Sequence, residues 1–259
     1  MRLLSAATLL ALVTSTALTA QPTPLARDGI VRVAYLASNP AQALKDPATG
    51  EVRGLVVDLA RELERTRGTK VTLVGLPNPQ RVIDAVRNGE AEIGFVAYNP
   101  ERAGPVEFSK PYLLVNQTFI VKDDSPIRSI ADIDRQGRKL GVTRADSIAL
   151  YLKRTLKQGE VVELDDTSRD TVHRLLQAGT VDAFGANRQR LSEMVKGANG
   201  FRLLADDLYG VEQTIIVAGG RRDALDAANR FIDEVRRSGF LQSSVERSGV
   251  LGIAVAPER

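Results

Sequence analysis

Two distant stretches of this 259-residue chain share one plan, and that plan restricts the fold more than any other feature. Val82–Ala97 reads VIDAVRNGEAEIGFVA, and Thr171–Asn187 reads TVHRLLQAGTVDAFGAN. Each gives apolar residues at helical spacing, a glycine (Gly89 or Gly179), two residues, a carboxylate (Glu92 or Asp182) and an apolar run of strand character. The glycines suit helix stops. Setting them level places Ala97 against Asn187. Either this is the plan of any αβ unit, or it marks two similar lobes that each end a strand at a shared cleft.

The rest of the chain alternates in the same way. Strands are expected at Ile30–Tyr35, Val71–Gly75, Ile93–Tyr98, Thr118–Lys122, Leu140–Thr143, Val161–Leu164, Val181–Ala186 and Gln213–Val217. Helices are expected at Leu55–Arg65, Gln80–Asn88, Ser147–Leu156, Ser168–Ala178, Gln189–Lys196, Arg222–Ser238 and Leu241–Arg247. Such alternation predicts an α/β protein with mostly parallel sheets flanked by helices. The repeat divides it into lobe one, 27–115 with 216–259, and lobe two, 116–215. Neither crossover is a Gly/Ser-rich linker, and Tyr112–Gln117 reads as a hinge.

Residues 1–20, MRLLSAATLLALVTSTALTA, carry one cation before an apolar run and small residues at Ser15, Ala17 and Ala20. This is a secretory signal pattern, cleaved after Ala20 or Ala17, and the run is short for a membrane span. Export without cysteine leaves no disulfides and no lipid-modified cysteine. A periplasmic, non-lipidated protein is expected. The net charge is +3, and about +2 without Arg2, with no basic cluster, which argues against a nucleic-acid partner.

The segment Gly89–Tyr112, GEAEIGFVAYNPERAGPVEFSKPY, runs from a helix end through a strand into a polar turn with one arginine. Turns at the carboxyl ends of strands are where open α/β sheets bind ligands, and a guanidinium offers bidentate geometry to a carboxylate. PERA followed by FSKPY resembles a block of the bacterial extracellular solute-binding proteins of family 3, the polar-amino-acid receptors of ABC importers, and the resemblance runs from Gly29 to about Gly249. It implies a two-lobed periplasmic-binding-protein clamshell (type II) whose Arg102 pairs with a ligand carboxylate. Without the resemblance, Arg102 reads equally as a surface partner of Glu101 or Glu107.

The resemblance extends to GVTRADS, Gly141–Ser147, a strand entering a helix whose free amides face the ligand. Ser147 matches the ligand-binding hydroxyl residue, while Ala145 and Asp146 depart from the family pattern. Asp146 or Ser147 also reads as a helix cap, and Arg144 as a second anion donor or a solvated side chain. Asn187 stands where the family has an aspartate for the ligand ammonium. After the first strand, Leu36 stands where an acid is common, leaving Tyr35 and Asn39 as the polar groups. The turn before Arg102 is short, with Tyr98 and Asn99 in place of hydroxyl residues. An anionic solute without the amine therefore stands beside an α-amino acid as the expected ligand.

One histidine, His173, on an expected solvated helix face, and no cysteine give no transition-metal constellation. No phosphate loop, dinucleotide fingerprint or G-x-S-x-G is present, so no cofactor and no catalytic residue is expected. The expectation is a monomeric binding component that hands a small solute to an inner-membrane ABC permease. The alternatives are an enzyme like cyclohexadienyl dehydratase on the same scaffold, with Asp146 or Glu212 as acid or base, and a soluble partner of a periplasmic dehydrogenase or sensor.

Overall fold

One unbroken strand of 17 residues, Val106–Lys122, runs through the segment that reads as a hinge. Proline at 111 does not interrupt it, and the residue paired with Pro111 is Thr214, where the neighbouring strand shifts register. The computed structural model describes residues 23–37, 39–46, 48–144 and 146–258; the signal-like segment 1–20 lies outside them.

Along the chain the elements are β1 (Ile30–Leu36), a small hairpin of β2 (Leu44–Lys45) and β3 (Val52–Arg53), α1 (Leu55–Arg67), β4 (Lys70–Leu76), α2 (Pro79–Arg87) and β5 (Ile93–Ala97). A 3-10 turn at Pro100–Arg102 leads into the long strand, β6. There follow β7 (Lys139–Thr143), α3 (Ser147–Thr155), β8 (Glu160–Leu164), α4 (Arg169–Gln177), β9 (Ala183–Asn187), α5 (Arg188–Val195) and β10 (Phe201–Leu203). The chain returns through β11 (Tyr209–Ala218) and closes with α6 (Arg222–Arg237), α7 (Phe240–Ser248) and β12 (Ile253–Val255).

The strands lie in the order β4-β1-β5-β11-β6-β9-β7-β8. The outer strands of each wing pair in parallel, β1 with β4 and β5, and β7 with β8 and β9. The middle of the sheet is antiparallel, because β11 runs back along β6 from Tyr209–Gln117 to Ala218–Val106. Parallel strands with helical crossovers need both faces covered, and the core follows that rule. Two apolar clusters draw on residues from 25 to 115 and from 215 to 241, with Phe95, Tyr112 and Phe231 among them. Two more draw on residues between 119 and 204, with Phe119 and Phe184 among them.

The repeated carboxylates have a defined structural job. Glu92 accepts the Arg32 backbone N–H at 2.7 Å, and its own N–H donates to the Arg32 carbonyl at 3.0 Å. Asp182 accepts the Lys139 N–H at 2.8 Å and donates its N–H to the Lys139 carbonyl, also at 2.8 Å. In both wings the carboxylate thus starts the pairing of a strand with its parallel neighbour. Gly89 and Gly179 sit at φ 74° and 67° just past α2 and α4, in the left-handed region that glycine enters without strain. His173 departs from the solvated face expected of it. Its ring stacks on Phe201 at 4.0 Å, because α4 packs that side against the start of β10.

Candidate functional site: the cleft over the crossover strands

A cleft of about 600 Å³ opens at the carboxyl ends of β1, β5 and β9. Its floor is the crossover pair itself. Val115 on β6 pairs with Val211 on β11, and both line the cleft. Two residues beyond each valine stands a nearly buried glutamine that also lines it, Gln117 and Gln213. Gln117 Nε2 donates to the Val115 carbonyl at 3.2 Å, and Gln213 Nε2 to the Val211 carbonyl at 3.5 Å. Gln117 lies opposite Asn187 on β9, and Gln213 opposite Ala97 on β5. The two repeats therefore end on the same floor, related by a local two-fold through the valine pair.

The wall from the first wing is Leu36, Asn39, Pro40, Pro79 and Ala97. Buried Gln42 positions its loop: its Oε1 accepts the Leu36 N–H at 2.8 Å and its Nε2 donates to the Phe95 carbonyl at 3.1 Å. The Asn39 side chain accepts the Ala41 N–H and so shapes the turn it stands on. The opposite wall is Asp146, Ser147, Arg169, Asn187, Gln189, Arg190, Glu193 and Met194. Four helices point their N-termini at the cleft: α2 through Pro79, α3 through Asp146 and Ser147, α4 through Arg169, and α5 through Asn187, Gln189 and Arg190. Side chains cap three of these starts, Asn78 for α2, Asp146 for α3 and Asn187 for α5, and the partial positive charge of a helix N-terminus favours anionic ligand groups.

Local bonds account for this arrangement. Asp146 is the cap of α3, its Oδ1 accepting the Ser147 N–H at 2.6 Å. Asn187 caps α5, accepting the Arg190 N–H at 2.8 Å. The Ser147 hydroxyl donates to Asp146 Oδ1 at 3.3 Å, and burial pushes the nearby Tyr209 phenol up to about 12. Tyr209 in turn stacks on Tyr151 of α3 at 4.1 Å, tying that helix to the crossover strand.

Of the residues singled out in the sequence, Asn39, Ser147 and Asn187 line the cleft, and Asp146 joins them. Five others do not. Tyr35 is buried in the core beside β4, because the first strand turns that side chain inward. Arg144 points away to Asp165 at 2.6 Å and Glu163 at 3.7 Å. Tyr98 packs edge-on against Phe108 at 5.2 Å, and its N–H is tied to the Glu212 carbonyl. Asn99 accepts the Glu101 N–H and so shapes the 3-10 turn that Arg102 closes. Arg102, expected as the ligand anchor, is half-buried but absent from the lining. Arg190, Gln117, Gln213 and Pro79 were not singled out. The strand alternation that turns both glutamines to one face was there to be read, but Arg190 carries no motif.

Known proteins give the same frame. The glutamine-binding protein of Geobacillus stearothermophilus is 28% identical over 174 residues, which are 65% of this chain and 64% of that protein. The chain thus spans less than two thirds of the length of that curated relative. Among solved structures, the periplasmic VFT2 domain of Bordetella pertussis BvgS matches with a TM-score of 0.68 and 20% identity, over 85% of this chain and 93% of that one. The ancestral amino-acid-binding protein AncCDT-1, described as a precursor of cyclohexadienyl dehydratase, matches with a TM-score of 0.61 and 23% identity, over 85% of this chain and 95% of that one. At those identities the structures establish the shared type II binding-protein fold. The decisive match covers residues 31–248, and by it the chain belongs to the bacterial extracellular solute-binding proteins, family 3.

Proposed function

We propose that this chain is the periplasmic solute-capturing component of an ABC importer, which closes two lobes over a small polar or anionic solute and presents it to an inner-membrane permease. The lobes in this reading are 27–115 with 216–259, and 116–215. The observation that carries it is one cleft lined from both wings and from both crossover strands, with four helix N-termini turned toward it. Contacts from both sides favour the closed form, since a ligand shifts an equilibrium only by binding one state better. The contacts we assign from the sequence-derived set are Asn39, Ser147 and Asn187. The relatives' names, glutamine- and glutamate-binding proteins, fit a small carboxylate-bearing solute.

Turnover is the second reading, because AncCDT-1 shares the scaffold with an enzyme lineage. Of the two carboxylates that could act as acid or base, Asp146 lines the cleft and Glu212 does not, so this reading rests on Asp146 alone. Native mass spectrometry of the protein purified from the periplasm tests both. A released small metabolite that rebinds unchanged supports capture. Conversion of prephenate or arogenate by the purified protein would replace capture with catalysis.

A further inference from the structure

The arginines near the cleft have different partners. Arg188 is saturated: Asp207 at 2.6 Å and the carbonyls of Leu204, Ala205 and Asp206 take its guanidinium. Arg144 is paired outward, and Arg169 donates to the Lys196 carbonyl at 2.7 Å. Arg190 differs from all three. It lines the cleft, it is partly buried, and among the described residues no carboxylate lies within ion-pair distance of it.

Its bonds are all to neutral oxygens. Nη1 donates to Thr143 Oγ1 at 3.2 Å, and Nη2 to the Thr167 carbonyl at 2.6 Å and Thr167 Oγ1 at 2.7 Å. The two hydroxyls are themselves 3.1 Å apart, and the Phe184 ring lies beneath the guanidinium at 5.8 Å. A guanidinium has five N–H donors, so these three bonds fix its plane and leave two. Burial pushes this group down, and the nearby Asp146 pulls the other way. A cation held in place, half-desolvated and bonded only to neutral groups is stabilised most by an added anion.

Resting on the solute-capture reading, we propose that Arg190 on α5 is the anionic anchor of the cleft, and that it holds a carboxylate of the solute against lobe two. The ligand class is then small carboxylates, and the specificity-determining charge sits on lobe two rather than in the Pro100–Arg102 turn of lobe one. Ser147 and the α3 N-terminus lie on the same wall to share that carboxylate.

The test is a thermal-unfolding screen of the intact mature protein against amino, hydroxy and keto acids together with their amides and esters, followed by calorimetry on the compounds that stabilise it. The wild type is compared with Arg190→Gln, Arg190→Lys and Arg102→Gln. The expected result is that carboxylates stabilise and their esters do not. Arg190→Gln should weaken binding by about 30-fold or more, the low end for loss of a desolvated charge pair. Arg190→Lys should recover part, and Arg102→Gln should stay within about 3-fold of wild type, less than 1 kcal/mol.

If binding is lost in Arg102→Gln and kept in Arg190→Gln, the anchor is on lobe one and capture stands. If only esters, amides or cations bind, the carboxylate class is wrong and capture again stands. No stabilisation of the wild type by any compound overturns the capture reading and this proposal with it. Should Arg190→Gln fail to fold, acetate serves as the probe. The Arg190 Nε–H signal of the wild type, identified by its loss in Arg190→Lys, should shift saturably in NMR spectra, and a signal that does not move overturns the anchor.

Discussion

Glu92 and Asp182 make the same bond in the two wings of the sheet, each clasping a backbone N–H of the neighbouring parallel strand where the pairing begins, Arg32 in one wing and Lys139 in the other. They differ in surroundings. The Glu92 side chain is 4% exposed and pairs with Arg32 at 2.5 Å, whereas that of Asp182 is 34% exposed with Arg138 at 3.5 Å. Glu92→Ala should therefore cost about 2–3 kcal/mol, and Asp182→Ala about 1 kcal/mol. Urea denaturation checks both, and equal losses would contradict the burial argument.

Replacing Asn187 by aspartate separates stability from binding. Asn187 caps α5 and lines the cleft at once. Aspartate caps equally well and adds charge at a helix N-terminus, so stability should hold or rise by about 0.3–1 kcal/mol. A purely anionic solute should bind more weakly, and one bearing an ammonium more tightly. Calorimetry on the variant, with thermal unfolding alongside, reads the two effects independently.

The pH profile should have an acid limb set by His173. Burial, with Arg169 adding to it, holds this imidazole below its ordinary value. Protonation then favours the unfolded chain. Its contribution is full above about pH 6.5 and is lost as pH falls below that toward the folded-state value. The melting temperature should drop between pH 7 and about pH 5, above the range where carboxylates titrate, and His173→Gln should flatten that drop.

On the alkaline side the tyrosines act. Burial pushes Tyr209 up to about 12 and raises Tyr35 and Tyr112 as well. Their contribution is present below about pH 10 and is lost as pH rises past it. Tyr209→Phe should make the melting temperature less sensitive between pH 10 and 12.

Gly252 should not tolerate a side chain. It sits at φ 72°, and a Cβ there would stand 2.5 Å from the Arg188 Cβ. Its carbonyl accepts the Asn116 N–H at 2.7 Å, so the backbone cannot easily shift. Gly252→Ala should cost about 1–3 kcal/mol, measured by denaturant midpoint.

Much of the fold was legible because it is local. The helix-glycine-carboxylate-strand unit at Val82–Ala97 and Thr171–Asn187 announces α2–β5 and α4–β9, and the pairing of Glu92 and Asp182 gives that repeat a physical meaning. The long β6 was not legible, since Pro111 and the polar Asn116 and Gln117 look like a break until β11 is set beside them. The candidate site was legible through residues on a motif, and Asn39, Asp146, Ser147 and Asn187 line the cleft. Arg102 stands in the 3-10 turn just beyond β5 and is not among the residues that line the cleft, while Tyr98 beside it packs on Phe108, a contact between residues ten apart that no spacing rule reveals. Arg190 gains its place through Thr143 at the end of β7 and Thr167 in the connection from β8 to α4, so its setting exists only in the folded chain.

The crossover strands carry one further consequence. Two independent linkers would let the halves slide, tilt and rotate. Here both connections are zipped together from Tyr209–Gln117 to Gln213–Leu113, and β12 adds Ile253–Val255 to the same stretch of β6. Sliding one strand past the other by a residue would reverse the facing of every side chain, so shear is forbidden in practice. For the two lobes of the proposed function, the motion this leaves is a fold about the line of the ribbon, like a door on a piano pin. Val115 and Val211 lie on that pin. In the solute-capture reading, a solute resting on them would meet the same surface with the door open or shut, so its footing would be judged before the walls arrive.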